Sequence, residues 1–337
     1  MEKPYKLQSL EEKRVVVLGG LGFTGANIVQ KAAQLNAKIA VFDACLDPYG
    51  WNFENISEIR DQVMFTKADI RDINALEKTF SEFKPDIIFN CAGQVSHVDS
   101  MTDPWLDIDI NCKGNLNVVE ACRRKADNAN LVYAGTRAQM GKSSYTPMDE
   151  KHPLNPTDIY GVNKQAGEAY AMVYHNAYGM KCSSVRMNNC FGPRHQMKHG
   201  KYGILNWFIR RAIKEEKISI YGNGKQLRDY NYIEDAVDAL ILCGTNKKAE
   251  GEVFLLGSGK SLSFASMVKK IVEATGSGSY EFTPWPKDRE VIEVGDVSVS
   301  FEKIKEKLGW KPSTGFDEGL KKTVEWYKHE GRLEKYV

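Results

Sequence analysis

A tyrosine and a lysine four residues apart in the stretch "NPTDIYGVNKQAGEAY" could together carry a proton. Asp158 stands where it can cap the first turn of a helix, so Tyr160 and Lys164 should lie on one helix face. A free tyrosine has a pKa near ~10, so acting as a base near neutrality needs a shift of roughly three units, or about 4 kcal/mol. A neighbouring ammonium group favours the phenolate. The spacing is compatible with a tuned proton carrier and with a solvated surface pair.

A glycine series near the N-terminus is the second feature with chemical meaning. The stretch "VVVLGGLGFTGANIVQ" places Gly19, Gly22 and Gly25 between a strand and a helix. Glycine permits a tight turn and a close approach of the backbone to a ligand. The N–H groups and the positive dipole end of a helix start bind pyrophosphate. Directly after the first strand of a βαβ unit, the series predicts a dinucleotide-binding loop.

Acidic residues at the ends of the next two strands indicate which dinucleotide is bound. Asp43 ends "KIAVFD" about 20 residues beyond the glycines, where a carboxylate can bond the adenosine ribose hydroxyls. It would repel a 2′-phosphate, and no arginine follows in "DACLD", so we expect NAD and not NADP. A helix cap or turn is the alternative role for Asp43. Asp69 and Ile70 end the following strand and should border the adenine.

Alternating strands and helices must position these residues. Strand-like apolar runs are "RVVVLGG", "KIAVFD", "VMFTKAD", "PDIIFNCAG" and "ANLVYAGT". Helical patterns between them are "ANIVQKAAQLN", "DINALEKTFSEF" and "DIDINCKGNLNVVEACRRK". Buried strands joined by helix-length crossovers predict parallel βαβ units, with helices on both faces of one sheet. The fold class is therefore α/β, a doubly wound parallel sheet.

The regular alternation ends in the second half of the chain. After the helix of Tyr160 come a strand, "KCSSVRMNN", and a polar loop, "CFGPRHQMKHGKYG". An amphipathic helix, "ILNWFIRRAIKEE", follows, and "GEVFLLGSG" predicts a strand that returns to the sheet. The remainder is mostly helical, from "SFASMVKKIVEATG" to "GLKKTVEWYKHE".

Composition excludes several classes of function. The 337 residues carry a net charge of +2, which gives no nucleic-acid footprint. No apolar run is long enough to span a bilayer, and "MEKPYKLQSLEEKR" has no apolar region typical of a secretory signal. The 7 cysteines form no C-x-x-C pair and the 6 histidines show no ligand spacing, so no metal is expected. These features together predict a cytoplasmic protein with reduced thiols.

The ordered motifs resemble those of the extended short-chain dehydrogenases/reductases. "GGLGFTG", "ADIRD", "NCAGQ", the Thr136 region, "YGVNK", "VRMNNCFGPR" and "LRDYNYIEDA" look like those of the NAD-dependent nucleotide-sugar epimerases and dehydratases in that family. The resemblance covers nearly the whole chain. It implies a Rossmann-type NAD-binding domain, 1–186 with a returning segment at about 230–260. A smaller C-terminal α/β domain, 187–229 and 261–337, would bind the nucleotide sugar.

The same resemblance implies roles for individual residues. The catalytic residues would be Thr136, Tyr160 and Lys164, with Lys164 also holding the nicotinamide ribose. Those that bind NAD would be Gly19, Gly22, Phe23, Thr24, Gly25, Asp43, Asp69, Ile70, Cys91, Ala92, Gly93, Asn111, Tyr160, Lys164 and Asn188. Those that bind the substrate would be Gln94, Thr136, Asn189, Arg228 and Arg289, with no metal. Arginine suits a diphosphate because its planar fork grips phosphate through two hydrogen bonds.

The implied reaction is a transient oxidation of the sugar. Tyr160 would take a hydroxyl proton while the carbon gives a hydride to NAD, and the ketone would accept the hydride back on its other face. UDP-sugar 4-epimerization is the favoured activity. A 4,6-dehydratase is disfavoured because Arg137 and Ala138 follow Thr136, where such enzymes carry an acidic pair.

Two further alternatives stay open. Val95 replaces a lysine of the galactose-type epimerases, Asn188 replaces a bulky aromatic residue, and "AGQV" and "GKYGILNWF" resemble the CDP-tyvelose 2-epimerase branch. A non-catalytic NAD-binding scaffold or sensor on the same fold is the alternative from another class. It is disfavoured because the chain keeps both Tyr160 and Lys164.

The resemblance also implies a homodimer. The stretches "PWLDIDINCKGNLNVVEACRR" and "DIYGVNKQAGEAYAMVYHNAYG" look like the helices that form a four-helix dimer interface in the family. Their aromatic and aliphatic content suits an interface. Packing within one subunit is the competing use of these residues.

Overall fold

A seven-stranded parallel sheet organises the computed structural model, which describes residues 3, 5–329 and 331–337. Its strands are β1 (Arg14–Leu18), β2 (Lys38–Asp43), β3 (Val63–Lys67), β4 (Ile87–Asn90), β5 (Asn130–Thr136), β6 (Cys182–Met187) and β10 (Val253–Leu255). They lie in the order β3-β2-β1-β4-β5-β6-β10. The order reverses direction between β1 and β4, and ligands of such sheets bind outside the carboxyl ends of strands at this point.

Helices cover both faces of this sheet because its strands are apolar on both sides. In β1, Val15 and Val17 belong to one hydrophobic cluster, and Val16 and Leu18 to another, as the alternation of a strand requires. The first cluster includes residues of α1 (Phe23–Gln34) and α8 (Ile233–Thr245). The second includes residues of α2 (Ile73–Phe83), α5 (Asn115–Lys125) and α6 (Ile159–Tyr178). The predicted doubly wound α/β fold is confirmed.

Local sequence determines where the helices that carry the site begin. Asp158 precedes α6 and its Oδ1 accepts the Gly161 N–H at 2.7 Å, the predicted cap. Two short helices, α3 (His97–Thr102) and α4 (Pro104–Asp107), follow β4. A π-helical turn, Ile108–Gly114, then joins α4 to α5. The helix predicted from "DIDINCKGNLNVVEACRRK" is therefore interrupted by this turn.

The second half of the chain forms two smaller sheets. One contains β7 (Asn189–Phe191), β9 (Leu227–Tyr232) and β11 (Ser261–Ser263), and the other pairs β8 (Lys217–Tyr221) with β12 (Ser279–Thr283) in parallel. The remaining helices are α7 (Ile204–Ile213), α9 (Phe264–Thr275), α10 (Lys287–Glu290), α11 (Glu302–Leu308) and α12 (Phe316–Lys328). The stretch "KCSSVRMNN" divides at Asn188, because β6 and β7 belong to different sheets.

The predicted return of "GEVFLLGSG" to the large sheet is confirmed, since β10 pairs with β6 in parallel. The division into units of 1–186 with 230–260, and of 187–229 with 261–337, stays a proposal. Residues 1, 2 and 4 of the N-terminal stretch and Glu330 after α12 lie outside the described residues. Within the described ranges, no helix has both the length and the apolar character needed to cross a membrane.

Candidate functional site

Two adjoining cavities lie at the carboxyl ends of the central strands. The main cavity has a volume of about 430 Å³ and the side cavity about 110 Å³. Gly19, Gly22, Cys91 and Gly93 belong to the walls of both, so the two cavities are neighbours. This is the place at which a doubly wound sheet binds a dinucleotide.

The glycine turn between β1 and α1 forms part of the main cavity wall. Gly19 has φ +73°, and a Cβ there would lie 2.8 Å from the backbone nitrogen of Ala92. A Cβ on Gly25 would lie 2.1 Å from the carbonyl oxygen of Gly19. Gly22 is the N-cap residue of α1, and no side-chain hydrogen bond caps this helix there. The first N–H groups of the helix therefore lack the partner that a capping side chain would give them. The turn thus presents backbone donors to the cavity beside Phe23 and Thr24.

Asp43 lies at the end of β2 in the wall of the side cavity. Its Oδ2 accepts the Leu21 N–H and its Oδ1 accepts the Cys45 N–H, each at 2.9 Å. Burial raises the pKa of this carboxyl, and the two backbone hydrogen bonds oppose that shift. The carboxylate therefore supports the glycine turn as well as facing the cavity.

Asp69 and Ile70 line the same side cavity. Arg71 grips the Asp69 carboxylate through Nε at 3.0 Å and Nη2 at 2.8 Å. Burial opposes ionization of Asp69, but the hydrogen bonds from Arg71 outweigh it and lower the pKa of the carboxyl.

The loop after β4 contributes Cys91, Ala92 and Gly93 to the cavity walls. Gln94 and Asn111, in contrast, line neither cavity. Asn111 accepts the Gln94 N–H at 3.1 Å and donates to the Gln94 carbonyl at 2.8 Å, so it fixes the loop from behind. Both side chains are buried in a hydrogen-bond network with Asp107, and the direct contacts of Gln94 with substrate and of Asn111 with NAD stay predictions.

Thr136, Tyr160 and Lys164 come together in the wall of the main cavity. Thr136 ends β5, and its hydroxyl forms a hydrogen bond with Tyr160. Lys164 lies one turn after Tyr160 in α6, and its Nζ donates to the Ala134 carbonyl at 2.8 Å. The Lys164 Nζ also lies 4.2 Å from the centre of the Tyr133 ring. The structure thus brings together the three residues that the sequence separates by 28 positions.

The pKa values of this group depend on burial. Burial raises the pKa of Tyr160, and Asp158 and Asp107 raise it further, whereas the hydrogen bond with Thr136 lowers it. Burial lowers the pKa of Lys164 to about 8. The protein alone therefore shifts the Tyr160 pKa away from neutrality, opposite to the direction expected from the Tyr160–Lys164 spacing.

The C-terminal segments complete the other side of the main cavity with Asn188, Asn189, Arg228 and Arg289. Nη2 of Arg228 lies 2.5 Å from Glu293 Oε1, and Nη1 donates to the Gly295 carbonyl at 2.6 Å. Asn188 is buried, and a hydrogen bond from its side chain lowers the pKa of the Asp229 carboxyl, although burial raises that pKa overall.

The sequence model described as "NAD dependent epimerase/dehydratase family" matches residues 15–257 of the chain. The chain belongs to the NAD-dependent epimerase/dehydratase family.

Individual family members match over nearly the full length. The UDP-glucose 4-epimerase of Mycolicibacterium smegmatis is 31% identical over 323 residues, covering 95% of this chain and 100% of that protein. The CDP-paratose 2-epimerase of Salmonella typhi is 28% identical over 350 aligned positions, covering 93% of this chain and 98% of that protein. The crystal structure of the Thermus thermophilus UDP-glucose 4-epimerase complex with NAD matches with a TM-score of 0.85 and 31% identity. That match covers 94% of this chain and 99% of the other.

NAD is the cofactor of this epimerase/dehydratase family member, and the residues fit it. The glycine turn leaves space that a Cβ at Gly19 or Gly25 would remove. Asp43 supplies a carboxylate suited to ribose hydroxyls at the end of β2. Asn188 contributes a buried amide to the wall of the same cavity.

Sequence reasoning missed other residues in the wall of the main cavity. His97 lies in α3 after "CAGQV", and its Nδ1 lies 2.5 Å from Asp158 Oδ2. Tyr49 and Tyr202 also line the cavity. Only the motif "SHVDS" could have drawn attention to His97, because its partner Asp158 is 61 residues away.

The loop 192–203 contacts the segments that follow β2 and β4. The Tyr202 hydroxyl donates to the Pro48 carbonyl at 3.1 Å, and Lys201 forms an ion pair with Asp99 at 2.9 Å. His195, in the same loop, is buried against the Phe23 ring, with ring centroids 4.3 Å apart. Burial lowers the pKa of His195 to about 4, so this imidazole is neutral at physiological pH.

Proposed function

We propose that the protein is an NAD-dependent UDP-sugar 4-epimerase. The observation that carries the proposal is the placement of Thr136, Tyr160 and Lys164 in one cavity wall beside the glycine turn. A tyrosine, a hydroxyl and an amine beside a dinucleotide site are the groups needed to move a proton while a hydride moves. Full-length similarity to a UDP-glucose 4-epimerase supports this choice of activity.

Tyr160 is the residue that receives the proton from the sugar hydroxyl. Thr136 forms a hydrogen bond with the phenol and holds it toward the cavity. Lys164 is held at the base of the same wall by the Ala134 carbonyl. When bound, NAD supplies the acceptor of the hydride and later its donor. Tyr160 returns the proton when the hydride returns to the opposite face, so the sugar is inverted with no net change in protons.

Dehydration is not supported by the residues after Thr136. Arg137 is buried, and its Nη1 donates to the Gly141 carbonyl at 3.0 Å. Ala138 follows it in the 3₁₀ turn Arg137–Met140. Neither side chain can act as an acid that protonates a departing hydroxyl group at neutral pH.

A CDP-sugar 2-epimerase is the second candidate. Val95 lines the main cavity where galactose-type epimerases carry a lysine, so the sugar meets an apolar side chain there. The full-length similarity to a CDP-paratose 2-epimerase supports this candidate. Both activities use the same transient oxidation and differ in the carbon that faces Tyr160.

The nucleoside diphosphate would lie against Asn189, Arg228 and Arg289 in the same cavity. Arg228 keeps its guanidinium in place through Glu293 and the Gly295 carbonyl, which fixes the orientation of its remaining donors. An oriented guanidinium binds phosphate oxygens at a smaller entropic cost than a free one.

A homodimer is part of the proposal. Apolar side chains protrude from the helices that the sequence assigned to a dimer interface. They are Trp105 (76% exposed), Val162 (48%), Val173 (56%) and Tyr178 (58%), and Met101 (52%) protrudes from α3 just before the first of these stretches. α6 packs against both α3 and α4, so these residues lie on neighbouring elements. Exposed apolar patches of this kind mark interaction surfaces.

A panel of nucleotide sugars tests the proposed activity. The purified protein is incubated with NAD and with UDP- and CDP-sugars, and the products are identified by NMR. Inversion at C4 of a UDP-sugar is the expected result, and inversion at C2 of a CDP-sugar would establish the second candidate. A protein that produces no isomer and no transient NADH absorbance from any member of the panel would overturn both.

Tyr160→Phe tests the assigned proton carrier. Removing the phenolic oxygen should reduce kcat by roughly 10²–10⁴-fold, the usual contribution of a general acid–base residue. NAD affinity and Tm should stay close to those of the wild type, because the ring still fills its buried position. Tyr280→Phe, at an exposed tyrosine of β12, is the matched control. Equal turnover by Tyr160→Phe and the control would refute the role.

A further inference from the structure

A histidine lies next to Tyr160 in the wall of the main cavity. The His97 ring meets the Tyr160 ring edge-on with centroids 5.0 Å apart, and both residues line the cavity. The His97 side chain is 39% exposed, so a ligand in the cavity can contact the imidazole. Val95 and Met187 line the same cavity but are apolar and give a sugar hydroxyl no hydrogen bond. His97 thus supplies a polar contact close to the proposed proton carrier.

The carboxylate of Asp158 holds this imidazole in place. Oδ2 of Asp158 lies 2.5 Å from Nδ1 of His97, and the Asp158 side chain is only 3% exposed. Burial opposes ionization of Asp158, but the hydrogen bond and the charge of His97 outweigh it and lower the pKa of the carboxyl. A carboxylate only accepts hydrogen bonds, so Nδ1 carries a hydrogen whether the imidazole is charged or neutral. Nε2 is therefore the nitrogen available to a ligand.

The histidine has a fixed position relative to Tyr160 because both are tied to the same helix start. Oδ1 of Asp158 accepts the Gly161 N–H at 2.7 Å, at the beginning of the helix that carries Tyr160. His97 is the first residue of α3, and its carbonyl accepts the Ser100 hydroxyl at 2.7 Å. A side chain that is already held in place binds a ligand at a smaller entropic cost.

A hydroxyl group of the sugar is the ligand group that suits Nε2. This nitrogen donates when the imidazole is charged and accepts when it is neutral, and a hydroxyl group can answer both because it donates and accepts. Tyr160 and Thr136 take the reacting hydroxyl in the proposed reaction, so a side chain beside Tyr160 lies closest to the oxygen on a neighbouring ring carbon. C3 is bonded to both C2 and C4, so its hydroxyl is such a neighbour in a 4-epimerase and in a 2-epimerase.

We propose that His97, held by Asp158, binds the C3 hydroxyl of the nucleotide sugar and thereby selects sugars that carry a free hydroxyl at C3. The proposal rests on the proposed function, in which Tyr160 binds the reacting hydroxyl. No proton or hydride passes through His97, which is a specificity residue that keeps the reacting carbon facing Tyr160. A 3-deoxy sugar leaves Nε2 without its partner and is a poor substrate for this reason.

Binding of UDP-glucose and two deoxy analogues tests this recognition. Titration calorimetry uses the NAD-loaded Tyr160→Phe variant, so that no sugar is converted during the measurement. UDP-3-deoxyglucose should bind about 10- to 100-fold more weakly than UDP-glucose, the range that corresponds to one hydrogen bond to a charged side chain. UDP-2-deoxyglucose is the matched analogue, because it loses a hydroxyl that the proposal does not assign to His97. Equal affinity for UDP-glucose and UDP-3-deoxyglucose would overturn the proposal.

His97→Leu in the same background tests whether the histidine is the source of the discrimination. This variant should bind UDP-glucose and UDP-3-deoxyglucose with nearly equal affinity, and its preference for UDP-glucose over UDP-2-deoxyglucose should not change. His97→Gln keeps a hydrogen-bonding side chain and should retain part of the discrimination. His329→Leu, at an exposed histidine after α12, is the control and should retain all of it. A mere packing defect in His97→Leu would weaken all three sugars alike, leave the discrimination unchanged and overturn the proposal.

Asp158→Ser tests the carboxylate and keeps the helix cap. Serine caps a helix about as well as aspartate does, but its shorter side chain no longer reaches Nδ1 of His97. We expect the discrimination against UDP-3-deoxyglucose to fall toward that of His97→Leu, with no further loss in the double variant. Asp72→Ser, at the N-cap of α2, is the matched control. Full discrimination by Asp158→Ser would overturn the role of the carboxylate.

Turnover by the wild-type protein separates this proposal from the proposed function. A protein that binds UDP-glucose with the expected discrimination but forms no isomer would refute the proposed function and leave the recognition of the C3 hydroxyl intact. Isomers formed equally fast from UDP-glucose and UDP-3-deoxyglucose would support the proposed function and overturn the role of His97.

Discussion

Lys164 is a buried cation whose surroundings favour its neutral form. Only 5% of the residue is exposed, and its Nζ is held by the Ala134 carbonyl and the Tyr133 ring. Burial lowers the pKa of the amine from 10.5 to about 8, which corresponds to a cost on the order of 3 kcal/mol for the charged form. The protein thus tolerates a destabilizing charge at the point where the proposed chemistry needs one.

This cost predicts a pH dependence of stability. The unfolded chain binds more protons at this site than the folded one between pH 8 and 10.5, so the cost is full below pH 8 and disappears by about pH 10.5. The free energy of unfolding of Lys164→Met, taken relative to that of the wild type, should therefore be highest at pH 7. This difference should fall steadily as the pH rises to 10.5.

Denaturant unfolding at several pH values measures this difference. Lys142→Met, which removes an exposed lysine, controls for the loss of one charge alone. A constant difference between Lys164→Met and the wild type from pH 7 to 10.5 would contradict a lowered pKa in the folded protein.

The sequence predicts which residues face each other at this scale but not their electrostatics. A spacing of four placed Tyr160 and Lys164 on one helix face, and both line the same cavity. The raised pKa of Tyr160 depends on burial and on Asp107, which comes from another element. The amine of Lys164 is held by a carbonyl of β5. These contacts arise from tertiary packing, which the spacing of residues along the sequence does not predict.

In the glycine turn, packing requires glycine at position 25, whereas position 22 has room for a small side chain. A Cβ on Gly25 would lie 2.1 Å from the Gly19 carbonyl oxygen, whereas a Cβ on Gly22 would lie 3.4 Å from it. The first distance requires a backbone shift, and the second is close to ordinary contact. Gly25 thus sets the closeness of α1 to the end of β1.

Gly25→Ala and Gly22→Ala therefore form a matched pair. The first should lower Tm and weaken NAD binding by at least tenfold, because α1 must move away from the turn. The second should keep the Tm of the wild type. Calorimetric titration with NAD and thermal denaturation measure both, and equal behaviour of the two variants would contradict the geometry.

Strand pairing over long distances limits prediction at the element scale. The βαβ rhythm identifies β1 to β6 because helical segments join consecutive strands, and every pairing among these strands except that of β1 with β4 is between strands consecutive in the chain. β8 and β12 pair in parallel although 57 residues separate the end of β8 from the start of β12. No local sequence pattern predicts this pairing. The sequence also does not predict the change of sheet at Asn188, because the residues of β6 and β7 form one continuous strand-like run.

The proposed dimer interface can be tested by placing a charge on its exposed apolar surface. Val173 protrudes from α6 with 56% of its surface exposed, and an aspartate there would place a charge in the interface. Val173→Asp should shift the protein to a monomer in light scattering after gel filtration, with its Tm little changed. Val291→Asp, at a 77% exposed valine outside these helices, should leave the dimer intact. A dimer that persists in Val173→Asp, or a monomeric wild type, would refute the interface.

The late return of the chain to the large sheet has a consequence for how the protein is made. Ile87 and Phe89 of β4 lie under Gly244 of α8, and β10 adds its edge beside β6 only afterwards. A nascent chain that has left the ribosome as far as Met187 carries six of the seven strands but lacks the helix that shields those apolar side chains. Synthesis must continue by about 70 residues before the sheet can close, so we expect the emerging polypeptide to depend on chaperones during that interval.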